Sequence, residues 1–461
     1  MIQMKGQHWI YAVFIAAYLW WGIWLVQYPM QISSDDAFNF SRAVERFSVL
    51  EFRPHFPGYP AFVAMSWGVS LFGSGIAPNI LVSFLSVLAI PPLLFALVFR
   101  LSQSGVAAVF AGFLVMTQPL MGALALSGLS DSMALAMLLL AFISALSKRY
   151  AQVGLWIGLM LAARPSYFPL AASFLLLPLI IVNRQERVSA YIKAASVILV
   201  IGVCCFIFVM AKDGTAYFGE GVRFTQGHFD IWGNTASSQD MGSTKFGVLN
   251  QWLVTLSEEY GTGLLVLILL SLIVGLFAYK PCAAAPSHLL WQRAISIVGV
   301  IYLLWIFLAQ NPDNLRHWGP VFLLFSVVFP LQLSTYLPDT THHRTLGAVT
   351  ILSVFCFGFK GGQHLDLSQR NSPVQQVIQW LNNNKEIQHV GTNYQVNLIR
   401  DTFKDRAIYD MYYPSNEKRL LKSSHNAYRI SGTELVQHKL IQTFPARFSG
   451  ERKLFLYKLS Q

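Results

Sequence analysis

Few residues of this chain can carry a charge, and those able to do acid–base or anion chemistry are bunched. Asp35 and Asp36 stand side by side in Ile32-Ser-Ser-Asp35-Asp36-Ala-Phe-Asn-Phe-Ser-Arg42, with Arg53-Pro-His55-Phe-Pro-Gly58-Tyr59-Pro60 close behind. An ionised carboxylate can take a proton from a hydroxyl nucleophile. Helix capping by Ser33, Ser34 or Asp35, with an acid in the first turn, accounts for one of the two carboxylates. The other is a candidate general base, and the residues alone do not say which is which. Asp131, in Ser127-Gly-Leu-Ser130-Asp131-Ser132, is a third candidate, for which an N-cap role is an equal alternative. Guanidinium groups stay charged and grip phosphate oxygens as a fork. Arg164 stands alone between two apolar runs in Ala163-Arg164-Pro165. Arg316 lies in Gln310-Asn-Pro-Asp313-Asn-Leu-Arg316-His317-Trp318. With Arg53 they are the candidate phosphate holders, whereas Arg42 and Arg46 suit lipid headgroups or solvent. His55 and Tyr59 offer hydrogen bonds. His228 and Trp232, in a loop where aromatics alternate with polar residues, suit the faces and edges of a sugar ring or an interfacial aromatic belt. One histidine is a weak metal signal; a divalent metal is possible but not indicated, and no cofactor is implied.

The elements that must position these residues are membrane helices. Apolar residues make up 54% of the 461 and charged residues 12%, about half the charge of a soluble chain. Charge-free runs at about 8–28, 77–99, 105–122, 132–147, 151–163, 166–182, 194–211, 261–279, 294–310, 318–336 and 345–359 predict eleven spans. The run 57–73, punctuated by Pro57, Gly58 and Pro60, is expected to lie along the interface or to re-enter, and not to span. The runs flanking Arg164-Pro165 are expected as one kinked helix or as two. With the N-terminus inside, the cytoplasmic segments carry ten cations and two acids, and the outer segments before Lys360 carry eight cations and twelve acids. This positive-inside bias puts the loops 29–76 and 212–260, Arg164, Arg316 and the tail on one non-cytoplasmic side.

From 362 onward the composition changes. Pro373 to Leu381 has helical spacing of apolar residues, while His389–Thr392 and Lys453–Tyr457 read as strands, so 362–461 is expected to be a small α/β domain after a transmembrane domain, 1–361. The net charge of +11 is concentrated there, with fifteen Lys/Arg against eight Asp/Glu from Lys360 on. Beside a membrane this points to anionic headgroups or phosphorylated lipid rather than nucleic acid. Three of the four cysteines lie in apolar runs, so no disulfide framework is implied. The first apolar run lacks an A-x-A-like cleavage site and reads as a retained helix. No H-E-x-x-H, Walker A or G-x-G-x-x-G pattern occurs, against zinc proteolysis and nucleotide-driven work.

In their order, these motifs resemble the GT-C superfamily of integral-membrane glycosyltransferases, most of all the branch of protein O-mannosyltransferases and lipid A aminoarabinose transferases. The resemblance rests on Asp35-Asp36, His55-Phe-Pro-Gly-Tyr59-Pro60, Ser130-Asp131, Ala163-Arg164-Pro165-Ser166, Arg316-His317 and the mixed α/β tail. It implies a polyprenyl-phosphate-linked sugar donor reached from the bilayer and transfer to a hydroxyl acceptor with inversion. Asp35 or Asp36 would be the base, Asp131 the second acid, and Arg164 and Arg316 the partners of the lipid phosphate. The expected setting is a bacterial inner membrane with the site facing the periplasm. A transporter or flippase of lipid-linked saccharides is the alternative; it calls for ionisable groups at mid-membrane, where this sequence has apolar runs.

Overall fold

The structure, a computed structural model, describes residues 8–73, 75–232, 245–278, 288–336, 371–423, 427–448 and 451–459. Its first part is helical: α1 (His8–Val26), α2 (Asp35–Glu45), α3 (Pro60–Ser70), α4 (Pro78–Ser102), α5 (Gly105–Met116), α6 (Pro119–Leu126), α7 (Asp131–Leu146), α8 (Tyr150–Ala163), α9 (Phe168–Phe174), α10 (Leu177–Ile181), α11 (Arg187–Asp213), α12 (Ala216–Gly227), α13 (Lys245–Tyr260), α14 (Thr262–Leu276), α15 (His288–Ala309) and α16 (Gly319–Tyr336). Ten of the eleven expected spans fall on helices; the eleventh, 345–359, lies outside the described residues. Among the described residues, Pro78–Ser102, Arg187–Asp213, His288–Ala309 and Leu315–Thr335 are each long and apolar enough to cross a bilayer alone. The chain is an integral membrane protein. The run 105–122 is not straight, since α5 and α6 meet at 62° before Pro119, whose ring cannot continue the ladder.

The most lipid-like surface belongs to α11. Only Ala190 and Val209 of its 27 residues are buried, while Val188, Ile192, Leu199, Val200 and Ile207 are more than half exposed. Such a face is stable against acyl chains and costly against water. By contrast α3, with 11 residues, reaches only about 16 Å, roughly half the hydrocarbon thickness, too short to span it. At Arg164 the helix stops: its backbone is extended (φ −146°, ψ 83°). On one side α8 packs between α7 and α11, and on the other α9 packs on α15. The stretch 151–182 is therefore two pieces with different neighbours.

The amphipathic α2 is capped by Ser34, whose Oγ accepts the Ala37 N–H at 3.1 Å, and buries Ala37, Phe40 and Ala43. A residue the sequence reading passed over fixes its height. Asn79, fully buried in the first turn of α4, donates from Nδ2 to the carbonyls of Ala37 (3.0 Å) and Gly128 (2.9 Å). One turn on, Ser83 donates to the Leu129 carbonyl at 2.7 Å. The start of α4 thus staples the Asp35-Asp36 helix to the turn that leads into Asp131. Gly128 is needed there: its φ is +67°, and a Cβ would sit 2.8 Å from Asn79 Nδ2.

The tail has its own apolar core of residues such as Val377, Leu381, Val390, Ile399, Ile430 and Leu456. Helices α17 (Pro373–Asn383), α18 (Val396–Thr402) and α19 (Pro414–Ser423) accompany strands β1 (His389–Thr392), β2 (Ala407–Asp410), β3 (Tyr428–Ser431), β4 (Lys439–Phe444) and β5 (Leu454–Lys458). The sheet order is β2-β1-β3-β5-β4, parallel across the first three and antiparallel across the last three.

Replacing Asn79 by Ala removes the donor to two buried carbonyls, and about 1–3 kcal/mol of stability should go with it. A thermal melt of the purified protein in detergent should show a clearly lowered midpoint; an unchanged midpoint would contradict the staple.

Candidate active site

The two adjacent aspartates point to different partners. The Asp35 carboxylate accepts the backbone N–H groups of Asn397 (3.2 Å) and Leu398 (2.9 Å), the orphan donors at the start of α18. Its own N–H donates to Gln395 Oε1 at 2.5 Å. Burial pushes its pKa up and these hydrogen bonds pull against the rise. Asp35 therefore docks the tail, helped by Gln375, which donates to the Ile32 carbonyl at 2.7 Å. Phe448 adds to the joint, its ring lying against Tyr28 (centroids 4.7 Å) and over Gly122.

Asp36 faces a cavity of about 510 Å³ that Asp35, His55, Tyr59, Arg164, His228, Arg316 and His317 help to line. Arg316 donates to Asp36 Oδ2 at 3.2 Å. His55 Nδ1 lies 3.6 Å from Asp36 Oδ1, and His55 Nε2 lies 2.9 Å from the Tyr59 hydroxyl. Burial raises the Asp36 pKa, but His55, Arg316 and Arg164 outweigh it, and the carboxyl is held below the usual range. For His55, burial lowers the pKa against the pull of Asp36. A neutral imidazole here is best placed with its proton on Nδ1, toward the carboxylate, and Nε2 accepting from Tyr59, since the reverse tautomer aims a lone pair at Asp36. The Tyr59 hydroxyl is itself pushed by burial to about 12 and stays protonated.

Beneath this layer lies a second ion pair. Asp131 is fully buried, with Arg164 Nε at 3.3 Å from its Oδ1 and the Tyr167 hydroxyl at 3.4 Å. Asp131 does not line the cavity. It compensates Arg164, which does and whose guanidinium also lies 5.9 Å from the Tyr59 ring centre.

Of the residues expected from sequence, Asp35, Asp36, His55, Tyr59, Arg164, His228 and Arg316 come together around the cavity. Arg53 does not. Its backbone pairs with Ser48 in both directions at 2.8 Å, which folds the loop back, and its guanidinium lies 3.6 Å from Glu51. The side chain of Trp232 lies outside the described residues. Sequence reasoning missed Asn397 and Asn314, which line the cavity, and Asp213 at the end of α11. Asp213 accepts from Ser48 Oγ (2.6 Å) and the Val49 N–H (2.7 Å), clamping the loop that carries His55. An acid closing a long apolar run was the available signal for Asp213; Asn397 carried none. Among the described residues, no three His, Cys, Asp or Glu side chains form a group that could hold a metal ion.

Asp35→Ala should undock the tail: loss of a capping carboxylate is worth about 0.5–2 kcal/mol. Limited proteolysis of the intact protein should cut within residues 371–459 faster than in wild type, and equal rates would contradict the docking role.

No protein-family model and no curated protein matches the chain in sequence. Solved structures do match in shape. ArnT from Cupriavidus metallidurans bound to undecaprenyl phosphate aligns over 98% of both chains at 13% identity with a TM-score of 0.55. The same protein in its apo state aligns over 97% of both at 12% identity and 0.51. The Archaeoglobus fulgidus oligosaccharyltransferase tethered with an acceptor peptide aligns over 93% of this chain and 69% of its own, at 12% identity and 0.50. ArnT is a lipid A aminoarabinose transferase, and both proteins are GT-C glycosyltransferases. Nearly the whole chain, tail included, therefore has the GT-C fold.

Proposed function

We propose that the protein is a glycosyltransferase that moves a sugar from a polyprenyl-phosphate donor to a hydroxyl acceptor on the outer face of the membrane. The observation that carries the reading is the joining of two unlike cavities. The polar one described above shares Pro57 and Pro165 with an apolar groove of about 340 Å³, walled by Pro60, Leu161, Ile198, Ile201, Phe206 and Val209. That groove runs between α3, α8 and the lipid-facing α11. A donor with an isoprenoid chain, a phosphate and a sugar has the same order of polarity: chain in the groove, phosphate beside Arg164, sugar in the polar cavity. Undecaprenyl phosphate bound to ArnT, a protein of the same fold, supports this class of donor. The positive-inside bias supports an outer, periplasmic site in a bacterial inner membrane.

Asp36 is the base in this account. Its carboxylate takes the acceptor hydroxyl proton while the acceptor oxygen forms a bond to the anomeric carbon. The bond from that carbon to the phosphate oxygen breaks, and its electron pair leaves on polyprenyl phosphate. Attack opposite the leaving group inverts the anomeric centre. Arg164, with Arg316 shared between Asp36 and the phosphate, stands where that negative charge grows, and cations preorganised there favour the transition state over the ground state. His55 holds Asp36 in orientation. His228 and Tyr59 meet the sugar. A transporter would need its coupling acid free to titrate, whereas Asp131 is buried against Arg164.

Two outcomes are expected. Purified protein in lipid nanodiscs should bind undecaprenyl phosphate, and Arg164→Ala should weaken that binding at least tenfold; equal binding would remove Arg164 from the phosphate site. The transfer rate from a labelled polyprenyl-phosphate sugar should show no inflection near pH 6.5, the ordinary histidine value, and should fall only on acidification below the usual carboxylate range, as Asp36 protonates. A loss of rate centred at pH 6 or above would contradict a base whose pKa is held below the usual carboxylate range.

A further inference from the structure

A second cavity, of about 490 Å³, lies between the tail and the membrane helices. It is of a size that holds small ligands, whose pockets run from about 300 to 1,000 Å³. Leu120, Ala123 and Leu124 of α6 form part of one wall, and Ser372, Asn393 and Tyr394 of the tail form part of the other. Asn311, Asn314 and Arg316 line both this cavity and the donor cavity. The segment that holds Arg316 against Asp36 is thus the partition between two chambers, and no residue of the apolar groove lines the second one.

The lining of this chamber is chemically different from that of the first. The Asn393 side-chain amide offers donors and an acceptor, and the Ser33 hydroxyl does the same, while Asn311 Oδ1 accepts the Asp313 N–H at 2.9 Å and Ser372 Oγ the Gln375 N–H at 3.4 Å. The Tyr394 ring gives one apolar face, with the Arg452 guanidinium 4.9 Å from its centre. Charges are balanced here: Arg452 is paired with Asp313 at 3.1 Å and Arg316 with Asp36 at 3.2 Å. A neutral ligand rich in hydroxyls, with a flat C–H face, satisfies such a wall, whose charges are balanced.

We infer that this chamber binds the acceptor and that the acceptor is a saccharide, presented to Asp36 past the Arg316 partition. The inference rests on the glycosyltransferase reading for the role of the ligand. It also makes the tail part of the substrate site, since one wall of the chamber belongs to it.

The test uses the full-length protein in nanodiscs and a methyl glucoside bearing a photoreactive diazirine, with adducts mapped by mass spectrometry. Adducts are expected on 372–374 and 393–395. They should fall at least fivefold in Asn393→Trp, which fills the chamber from an exposed turn, and in Ser33→Trp, which fills it from the segment before α2. Undecaprenyl phosphate binding, measured on the same samples, should be unchanged in both variants, showing that they are folded. Adducts confined to the donor cavity around 224–229, adducts on 393–395 that persist in both variants, or no adducts at all would overturn the saccharide chamber. Loss of undecaprenyl phosphate binding in wild type would instead sink the donor reading and leave the glycoside map to be read by itself.

Discussion

The polar cavity is arranged around the ion pair between Asp36 and Arg316. A carboxylate and a guanidinium at the edge of a bilayer are costly unless each is compensated, and the fold meets that constraint in tiers. Arg316 and His55 share Asp36 in the upper tier. Arg164 and Asp131 neutralise each other in the lower one. Neither tier is built by one stretch of chain: α2, the loop after it, the end of α8 and the turn before α16 each contribute. The charges can coexist only when the helices are assembled, so packing of an otherwise apolar bundle creates a reactive site that none of its segments holds alone.

The neighbouring acid carries a different load. By capping α18, Asp35 ties the tail to the same first turn that presents Asp36. A displacement of the tail is then transmitted to Asp36 through one residue's backbone. Asn79 acts from below, holding that turn against the approach to Asp131. The aspartate helix is thus pinned on two sides by polar contacts whose donors or acceptors are backbone groups, a fixed mounting for the base proposed at Asp36.

Much of this was legible in the sequence because membranes impose simple rules. Lack of charge over long runs gives apolar helices, and the few ionisable residues between them were expected on one face; Asp36, Arg164, Arg316 and His55 do line one cavity. The division of labour between Asp35 and Asp36 was not legible, because it depends on Asn397 and Leu398, more than 350 residues away. Asp131 read as a site acid, and only packing shows it buried as the counter-ion of Arg164. Arg53 looked equivalent to the other arginines until the Ser48–Arg53 backbone pair turned it away. Periodicity reports which face is apolar, whereas the pairing of charges depends on tertiary geometry.

The account stands on the claim that two adjacent carboxylates have separate jobs, and the initial rate of sugar transfer from a labelled polyprenyl-phosphate donor tests it most directly. Asp36→Asn keeps the shape and removes the base, so the rate should fall by about 10²- to 10⁴-fold. Asp35→Asn, which keeps a hydrogen-bond acceptor at the start of α18, should stay within about fivefold of wild type. Equal losses in the two variants, or a larger loss in Asp35→Asn, would contradict the assignment.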